Sequence, residues 1–445
     1  MTDNERSTQD SSGVSTTRRT FLAGGAAAAV ASTAGCTGGA RVPSSGNNTN
    51  ASGSFQAVNP EQFASAFGEV VNMVEAGADP NGKQDVVPVI ERELSNDTLL
   101  YFPPGTYKMN SQVARRGGRN IGIIGKNAVL THGTVEDIEG FEVTEGEFSG
   151  KAQHFKIGSS DSLHHGKFVF GGFTADWRGE NTGMQILNHQ TTGTSEIRAV
   201  KQVGMHDLGC QGPMRLNPAT DDAKIRAQNL DFRAGGQTYQ KTINERNADP
   251  YGNAGWGRSW ATTGIADHPH MHGLLRVENA YVGGWPDNGI YTVGGGQSKA
   301  GTVEIVNCVV ANSHPSNIRI GGVNSKIKGC TVIVNKQFGK YYFEQRPVRL
   351  DHGSCSVEDT RIIQKNPTGW SLTVLHGVTR ARLKNLRITI HDQPTPALII
   401  SPGADRVRVQ DVSIQTPGWQ AMEPLLIQSG GAKMSNIRID GEKIT

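Results

Sequence analysis

From Leu274 to the C-terminus the chain repeats one short pattern: a polar residue, then Asn, Asp or Gly, then apolar residues that alternate with others. The anchors of the repeat are Asn279, Asn307, Gly329, Asp359, Asn385, Asp411 and Asn436. Successive anchors lie roughly 22 to 30 residues apart, a period typical of solenoid coils. Because the alternation favours short strands rather than amphipathic helices, we predict an all-β fold. The specific prediction is a right-handed parallel β-helix, a single-stranded solenoid whose coils bury one face against their neighbours.

Weaker copies of the pattern continue upstream at Gly172, Gln202 and Asn229. The longer gap between Asn229 and Asn279 predicts an inserted loop over 234–267. Leucine-rich repeats have a similar period but need a Leu-x-x-Leu-x-Leu frame, which is missing, and propeller blades need about 40 residues or more. Both of these repeat folds are therefore poor fits.

The first residues have the pattern of an export signal. Thr17 to Leu22 contains the twin arginines Arg18 and Arg19, and an apolar run of small residues follows it up to Ala34. Thr33 to Cys36 resembles a lipobox, so we expect 1–36 to be a twin-arginine signal whose cleavage leaves Cys36 as the lipidation site. The alternative is a signal cut nearby without a lipid.

This signal predicts an extracellular or cell-surface protein, exported by the twin-arginine pathway and held on the membrane by the N-terminal lipid. Residues 37–65 are rich in Gly, Ser and Asn and predict a flexible tether. Residues 66–445 then form the β-helix domain.

The charge balance of the chain bears on its partners, and its cysteines bear on how neighbouring coils pack. The chain has 44 basic and 41 acidic residues, so no bulk field selects nucleic acid. Cys308 and Cys330 occupy the same repeat position one coil apart, which predicts stacked buried thiols, with a disulfide as the alternative in an oxidising compartment. The sequence leaves the oligomeric state open.

A second informative segment lies near the start of the predicted domain. It contains a Gly-Ala-Asp-Pro loop from Gly77, helical spacing of Val86, Val89, Ile90 and Leu94, and Phe-Pro-Pro-Gly-Thr-Tyr from Phe102 to Tyr107. This segment resembles the opening of the pectate-lyase-like superfamily. The resemblance implies a β-helix with a short N-terminal capping helix that covers the end of the solenoid. It does not imply one activity, because that superfamily includes lyases, hydrolases, epimerases and phage tailspikes.

Candidate chemistry lies on the second strand of each coil. If the apolar residues of these strands point inward, alternation places a set of charged side chains outward on one sheet. The set is Arg215, His270, His272, Arg319, Arg349 and Asp351. A register slip of one residue would exchange the faces and turn His270 inward. His352 and His376 are expected to stack at the strand end, either in the site or as a polar ladder at a turn.

The inserted loop adds aromatic and basic residues to the same region, and aromatic faces stack on sugar rings. We predict that Tyr251, Trp256, Arg258 and Trp260 of this loop bind substrate together with Tyr291, Arg349, Asp351 and His352. The alternative is a solvated loop that only covers the sheet. Tyr341, Tyr342 and Phe343 lie in another lengthened turn and are candidates for the opposite wall.

An arginine row with histidines predicts an acidic polysaccharide as partner and a polysaccharide lyase as the activity. In β-elimination a cation neutralises the uronate carboxylate while a base removes the C5 proton. His270 or His272 is the predicted base, and Arg215 or Arg319 the neutralising cation. Hydrolysis needs two carboxyl groups, and only Asp351 is evident.

Two alternatives remain open at this point, a glycan-binding surface adhesin without catalysis and a glycoside hydrolase of the polygalacturonase type. The Asn-Thr-Asp, Asp-Asp and Gly-His-Gly motifs of polygalacturonases have no match in successive coils. No metal site is predicted with certainty. Calcium is possible if Asp249, Asp267 and Asp287 come together.

Overall fold

The computed structural model describes residues 58–139, 142–243, 262–293, 301–337, 344–418 and 424–445. In these residues it confirms the predicted right-handed parallel β-helix. One 29-stranded sheet winds along the chain, and its neighbouring strands pair in parallel except for a C-terminal hairpin. The β-helix therefore consists of stacked coils that share one continuous core.

The helices are α1 (Glu61–Ala64) and α2 (Val87–Glu93), with a 3-10 turn at Tyr239–Lys241. The strands of the first half are β1 (Glu69–Asn72), β2 (Asn81–Asp85), β3 (Thr98–Phe102), β4 (Gly105–Lys108), β5 (Val113–Arg115), β6 (Arg119–Thr131), β7 (Val135–Glu139), β8 (Glu142–Gly146), β9 (Gly150–Lys151), β10 (Gln153–Ile157), β11 (His165–Trp177), β12 (Gln185–Thr191), β13 (Thr194–Gly204), β14 (Met214–Pro218) and β15 (Lys224–Phe232). The strands of the second half are β16 (Ile265–Ala266), β17 (Leu274–Glu278), β18 (Tyr281–Gly283), β19 (Ile290–Thr292), β20 (Thr302–Val306), β21 (Val309–Ala311), β22 (Ser316–Ile320), β23 (Ser325–Lys328), β24 (Thr331–Val334), β25 (Arg346–Glu358), β26 (Arg361–Gln364), β27 (Leu372–Ile390), β28 (Leu398–Ile400), β29 (Val407–Gln415), β30 (Leu425–Ile427), β31 (Lys433–Ile439) and β32 (Glu442–Lys443).

Each coil has three faces, which we name A, B and C in chain order. In consecutive coils β17, β20 and β23 stack on face A, and β18, β21 and β24 stack on face B. On face C the corresponding strands are β19, β22 and the first part of β25. Longer strands such as β25 and β27 continue from face C of one coil onto face A of the next.

The repeat anchors lie at the corner between faces A and B, in the left-handed conformation. From Asn279 to Asn436 their φ angles lie between 52° and 65°. Gly reaches this region without strain, and Asn and Asp tolerate it better than other residues, which explains the repeat. The corner of the coil assigned to Gln202 is at Ala199, with φ 51°, so that assignment was wrong by three residues. Gln202 instead lies inside β13.

The residues that follow each corner alternate between the core and the surface. Val310, Ile388 and Ile414 are buried in one core cluster that extends through most coils. Val309 is half-buried because the corner after Asn307 turns Cys308 and Val310 inward instead. Cys308 and Cys330 are buried free thiols in that same cluster.

The N-terminal end of the solenoid is covered as predicted. Val86, Val87, Ile90 and Leu94 of the α2 region join the core cluster. The predicted tether ends earlier than residue 65, because Val58 and Phe63 of the α1 region are buried against the outer side of face A. The Arg198 guanidinium lies 4.3 Å from the centre of the Phe63 ring.

Two further features were not predicted. Strands β7, β8 and β9 form a separate three-stranded antiparallel sheet between β6 and β10. At the other end β32 folds back antiparallel on β31. Among the described residues no helix has both the length and the apolar content that crossing a bilayer requires.

Candidate functional site

Face C places the three predicted arginines and Tyr291 in one row. Their Cα atoms are successive register partners across neighbouring strands. The row runs Asn188, Arg215, Ala266, Tyr291, Arg319, Arg349 and Thr373. Parallel coils hold such partners about 4.8 Å apart. The residues on either side of each row position, such as Ile318 and Ile320, are buried, so the row residues themselves point outward.

Asp351 lies two residues beyond Arg349 and is held between two guanidinium groups. The Nε and Nη2 atoms of Arg319 donate to its Oδ2 at 2.8 and 2.7 Å. The Nε of Arg349 donates to its Oδ1 at 2.7 Å. Because both oxygens are engaged by cations, Asp351 neutralises and orients the arginines and is poorly suited to act as a base. The N–H groups that Asp351 does not use remain for an anionic ligand.

Tyr291 lies between Ala266 and Arg319 in the row. The guanidinium carbon of Arg319 lies 4.6 Å from the centre of the Tyr291 ring, a cation–π contact. Burial raises the pKa of the Tyr291 phenol, and the positive charge of Arg319 opposes this only in part. The phenol therefore stays protonated at neutral pH and can donate a hydrogen bond or a proton.

The predicted strand at 268–273 does not exist, which corrects the placement of His270 and His272. The face C strand of this coil is the two-residue β16, and the chain then turns at His268, Pro269 and His270. Pro269 explains the early end, because proline has no backbone N–H for the next ladder bond. His270 is exposed in this turn rather than outward on the sheet.

His272 lies still further from the row. It belongs to the turn that leads back to face A, where its Nδ1 is 3.8 Å from Oδ1 of Asp221. His268, in contrast, interacts electrostatically with Arg215. Burial first, and then the charge of Arg215, lowers the pKa of His268 to about 4. This imidazole is therefore neutral at pH 7, as a proton acceptor must be, and its ring centre lies 5.4 Å from that of His270.

Asp287 is a candidate acid that the sequence suggested only as a calcium ligand. It lies in the turn before β19 and is almost fully buried. Thr263 donates from Oγ1 to its Oδ2 at 2.5 Å, and Asn288 donates from Nδ2 to its Oδ1 at 2.8 Å. Burial raises the pKa of Asp287 to about 7, although these hydrogen bonds and the nearby charge of Arg319 oppose the shift. The only sequence signal was its place directly before a face C strand.

His352 and His376 do not stack. His352 is buried, and its ring occupies the space beside the missing side chain of Gly321. Its register partner is Gly377, because bulges follow Leu350 and Gly353 in the pairing of β25 with β27. His376 is exposed. The prediction that His352 contacts substrate beside Asp351 is therefore wrong, since alternation turns His352 away from the row.

Trp370 is an aromatic residue near the row that the sequence analysis missed. Its side chain is among the exposed large hydrophobic residues, 39% accessible, and the Arg346 guanidinium lies 5.0 Å from its ring. Arg346 begins β25, the strand that carries Arg349. Trp370 follows the turn at Pro367 and Gly369, so its position could be read from the sequence but its exposure could not.

Several predicted residues lie outside the described part of the chain. These are Cys36 of the signal, Tyr251, Trp256, Arg258 and Trp260 of the inserted loop, and Tyr341, Tyr342 and Phe343 of the second lengthened turn. In the chain order the two segments precede β16 and β25, and the strands of Tyr291 and Arg319 lie between those two. Asp249 is also outside the described residues. Within them no group of three His, Cys, Asp or Glu side chains is arranged to hold a metal ion.

Comparisons with known proteins support the fold of this chain but do not assign it to a family. No protein-family profile and no curated protein sequence matches the chain. A mannuronan C-5 epimerase A-module from Azotobacter vinelandii is similar in structure, with 12% identity, 83% of this chain and 94% of that chain covered, and a TM-score of 0.51. DFA-IIIase from Arthrobacter chlorophenolicus A6 is similar at 12% identity, with 83% and 93% covered and a TM-score of 0.50.

A surface adhesin from Streptococcus pneumoniae also matches, at 13% identity and a TM-score of 0.39, over 83% of this chain and 99% of that chain. At their identities the epimerase and DFA-IIIase matches support the β-helix fold alone, and the adhesin match, with its lower TM-score, carries no further argument. That fold is shared by carbohydrate-active proteins with different activities. The chemistry of this chain has to be argued from its own site.

Proposed function

We propose that the face C row binds an acidic polysaccharide and cleaves it by β-elimination, as a member of the pectate-lyase-like superfamily. The observation that carries the proposal is the register of Arg215, Tyr291, Arg319 and Arg349, which presents three guanidinium groups and one protonated phenol along a single line. A polymer with a carboxylate on successive sugars matches such a line better than a small ligand would. Asp351 compensates only one of the three positive charges.

Each step of the elimination has a candidate group in the row. The N–H groups of Arg319 and Arg349 that Asp351 leaves unused bind the uronate carboxylate, which makes the C5 proton more acidic. An imidazole of the His268–His270 turn removes that proton. The electron pair forms the C4–C5 double bond as the C4–O bond breaks, and Tyr291 donates its proton to the leaving oxygen.

The exposed face of Trp370 extends the proposed site toward the C-terminal coils. Sugar rings stack on aromatic faces. The Arg346 guanidinium beside the indole is already paired with Glu344 at 2.6 Å, so the indole face is the main contribution of this part of the site. The aromatic residues of the inserted loop remain candidates for further contacts. This arrangement supports a polymer bound across several coils, with its length along the solenoid axis.

A panel of acidic polysaccharides tests the activity, with the ultraviolet absorbance of the unsaturated product as the readout. His268→Ala and His270→Ala distinguish the two candidate bases. Substitution of the histidine that acts as the base should lower kcat roughly 10²- to 10⁴-fold, with little change in binding. Arg319→Gln should weaken both binding and turnover. His376→Ala is the matched control, because that histidine is exposed one coil beyond Arg349. Full activity in both the His268 and His270 variants would overturn the elimination mechanism.

Hydrolysis is the second candidate, and one observation favours it. A general acid needs a raised pKa, and Asp287 has one near 7 beside the row. A hydrolase would generate new reducing ends without ultraviolet absorbance, and Asp287→Asn would abolish them. Retention of the polymer with neither product would identify a glycan-binding protein without catalysis.

We further propose that the protein acts outside the cytoplasm. The twin-arginine pattern at Arg18 and Arg19 and the lipobox-like Cys36 support export and a lipid anchor. A polymeric substrate agrees with this location, because cells keep such polymers outside the membrane.

A further inference from the structure

A cavity of about 550 Å³ lies at the edge of face B, where the chain turns toward face C. It is formed by residues at or just after the ends of β13, β15, β18, β21 and β24, so five successive coils contribute to it. The residues that carry the argument are Arg233, Gln237, Lys241, Tyr281, Asn312 and Lys336. The volume is in the range of pockets that hold small molecules, and one or two sugar rings fit within it.

The lining of this cavity is strongly positive. Arg233, Lys241 and Lys336 contribute three cations, and among the described residues that line the cavity none is Asp or Glu. Asp231 compensates one of these charges, because its Oδ1 accepts from Nε of Arg233 at 2.7 Å. After this pairing about two positive charges remain without a carboxylate in the described part of the wall. Such an imbalance favours an anionic ligand.

Two parts of the cavity wall are held in place by contacts, the Arg233 guanidinium and the backbone at Lys336. The Arg233 guanidinium stacks 4.3 Å from the centre of the Tyr281 ring, which fixes its plane. The Asn312 Oδ1 accepts the backbone N–H groups of Asn335 and Lys336 at 2.8 and 3.1 Å. These bonds fix the backbone from which the Lys336 side chain extends. A prearranged guanidinium loses less entropy when it binds a carboxylate.

We propose that this cavity binds an anionic saccharide unit, through its carboxylate or sulfate ester, as a second glycan site distinct from the row on face C. Arg233 presents its unused N–H groups to the anionic group, and Lys241 and Lys336 close around it. The side chains of Gln237 and Asn312 and the edge of Tyr281 suit the hydroxyl groups and apolar patches of a sugar ring. Binding at this site requires no cleavage, so the proposal can be tested independently of the elimination mechanism.

Calorimetric titration with trigalacturonate tests the proposal on the whole exported chain. The methyl ester of the same trisaccharide is the uncharged analogue, and inorganic sulfate is the free anion. We expect the acid to bind, the ester to bind at least about tenfold more weakly, and sulfate to compete poorly. Lys241→Gln with Lys336→Gln should weaken binding of the acid about tenfold, whereas Lys241→Arg with Lys336→Arg should retain it.

The titration is repeated in an Arg319→Gln background, which weakens the face C contribution and leaves the cavity unchanged, so that a failed face C site and a failed cavity site give different results. Lys365→Gln with Lys433→Gln is the control for charge, because both lysines are exposed and neither lines the cavity. Equal affinity of the Lys241/Lys336 glutamine variant and this control would overturn the proposal. Sulfate that binds as tightly as trigalacturonate would overturn the saccharide assignment in favour of a simple anion site.

Discussion

At the scale of single residues, the environment of each carboxyl group decides its chemistry. Asp351 and Asp287 both interact with Arg319, yet the groups that surround the two carboxyls differ. Asp351 is paired with two guanidinium groups at 2.7 to 2.8 Å. Asp287 is buried with hydroxyl and amide partners, and burial raises its pKa to about 7. Asp287 therefore changes its charge near neutral pH.

Asp287 should make the stability of the fold depend on pH. Its pKa is higher in the folded chain, about 7, than in the unfolded chain, about 3.8. The folded state then binds more protons between these values, so the stability that this group contributes is present below about pH 4 and is lost as the pH rises to about 7. We expect Asp287→Asn to be more stable than the wild type at pH 8, by on the order of 3 kcal/mol, and similar at pH 4.

Urea unfolding of both proteins across this pH range measures the difference between them, in which other titrating groups cancel. Asp176→Asn is a control, because that carboxyl is paired with Arg178 and its pKa is lowered instead. The difference in stability between Asp176→Asn and the wild type should therefore change with pH in the opposite direction. A difference between Asp287→Asn and the wild type that does not vary with pH would contradict the assignment.

At the scale of the element, the corner between faces A and B determines whether a coil can close. The φ angles at Asn279, Asn307 and Asn385 are 52° to 53°, in a region that most side chains avoid. In two coils the corner side chains also bond one another, as when Asn385 Nδ2 donates to Asp359 Oδ1 at 2.8 Å. The ladder of corners therefore combines a backbone requirement with a weak polar contact.

We predict that Asn279→Val destabilises the fold by about 1–2 kcal/mol or more, because a β-branched side chain clashes in the left-handed conformation. Asn279→Gly should be close to neutral, since glycine adopts the same φ without strain. Thermal and urea unfolding measure both. Asn436→Val at the last corner is a useful comparison, since fewer coils depend on it. Equal stability of the Val and Gly variants at position 279 would show that the corner conformation does not limit stability.

The turn at His268, Pro269 and His270 could not be placed from the local sequence pattern alone. The alternation around Met271 suggested a strand, and Met271 is indeed buried. However, the strand is two residues long and ends before Pro269. A buried apolar residue in a turn has the same local signal as one in a strand. The neighbouring coils, rather than the local pattern, determine where the ladder stops.

At the scale of the whole molecule, the solenoid turns residues far apart in sequence into neighbours. Arg215 and Arg349 are separated by the whole inserted loop and several coils, yet they belong to one row on face C. The basic cavity arises in the same way from five coils. A fold with this geometry suits a long ligand bound along its axis.

The location of the whole protein is a separate prediction. Lys in place of both Arg18 and Arg19 should leave the precursor in the cytoplasm, because the export machinery reads the arginine pair. Cys36→Ser should still be exported but should appear in the soluble fraction, since one lipid-bearing cysteine provides the anchor. Fractionation and immunoblotting measure both variants. A Cys36→Ser protein that stays with the membrane would refute the lipid anchor and leave the export route unaffected.

The sequence by itself determined the architecture, because the residues of the left-handed corners and the alternation after them form a local pattern that recurs in the sequence of each coil. It also determined the row of Arg215, Arg319 and Arg349, since one repeat register places all three outward. Only the tertiary structure decided what these residues do to one another. The pairing of Asp351, the raised pKa of Asp287, the burial of His352 and the basic cavity all depend on contacts between coils. Such contacts arise from packing and from the exclusion of water, which no single coil encodes.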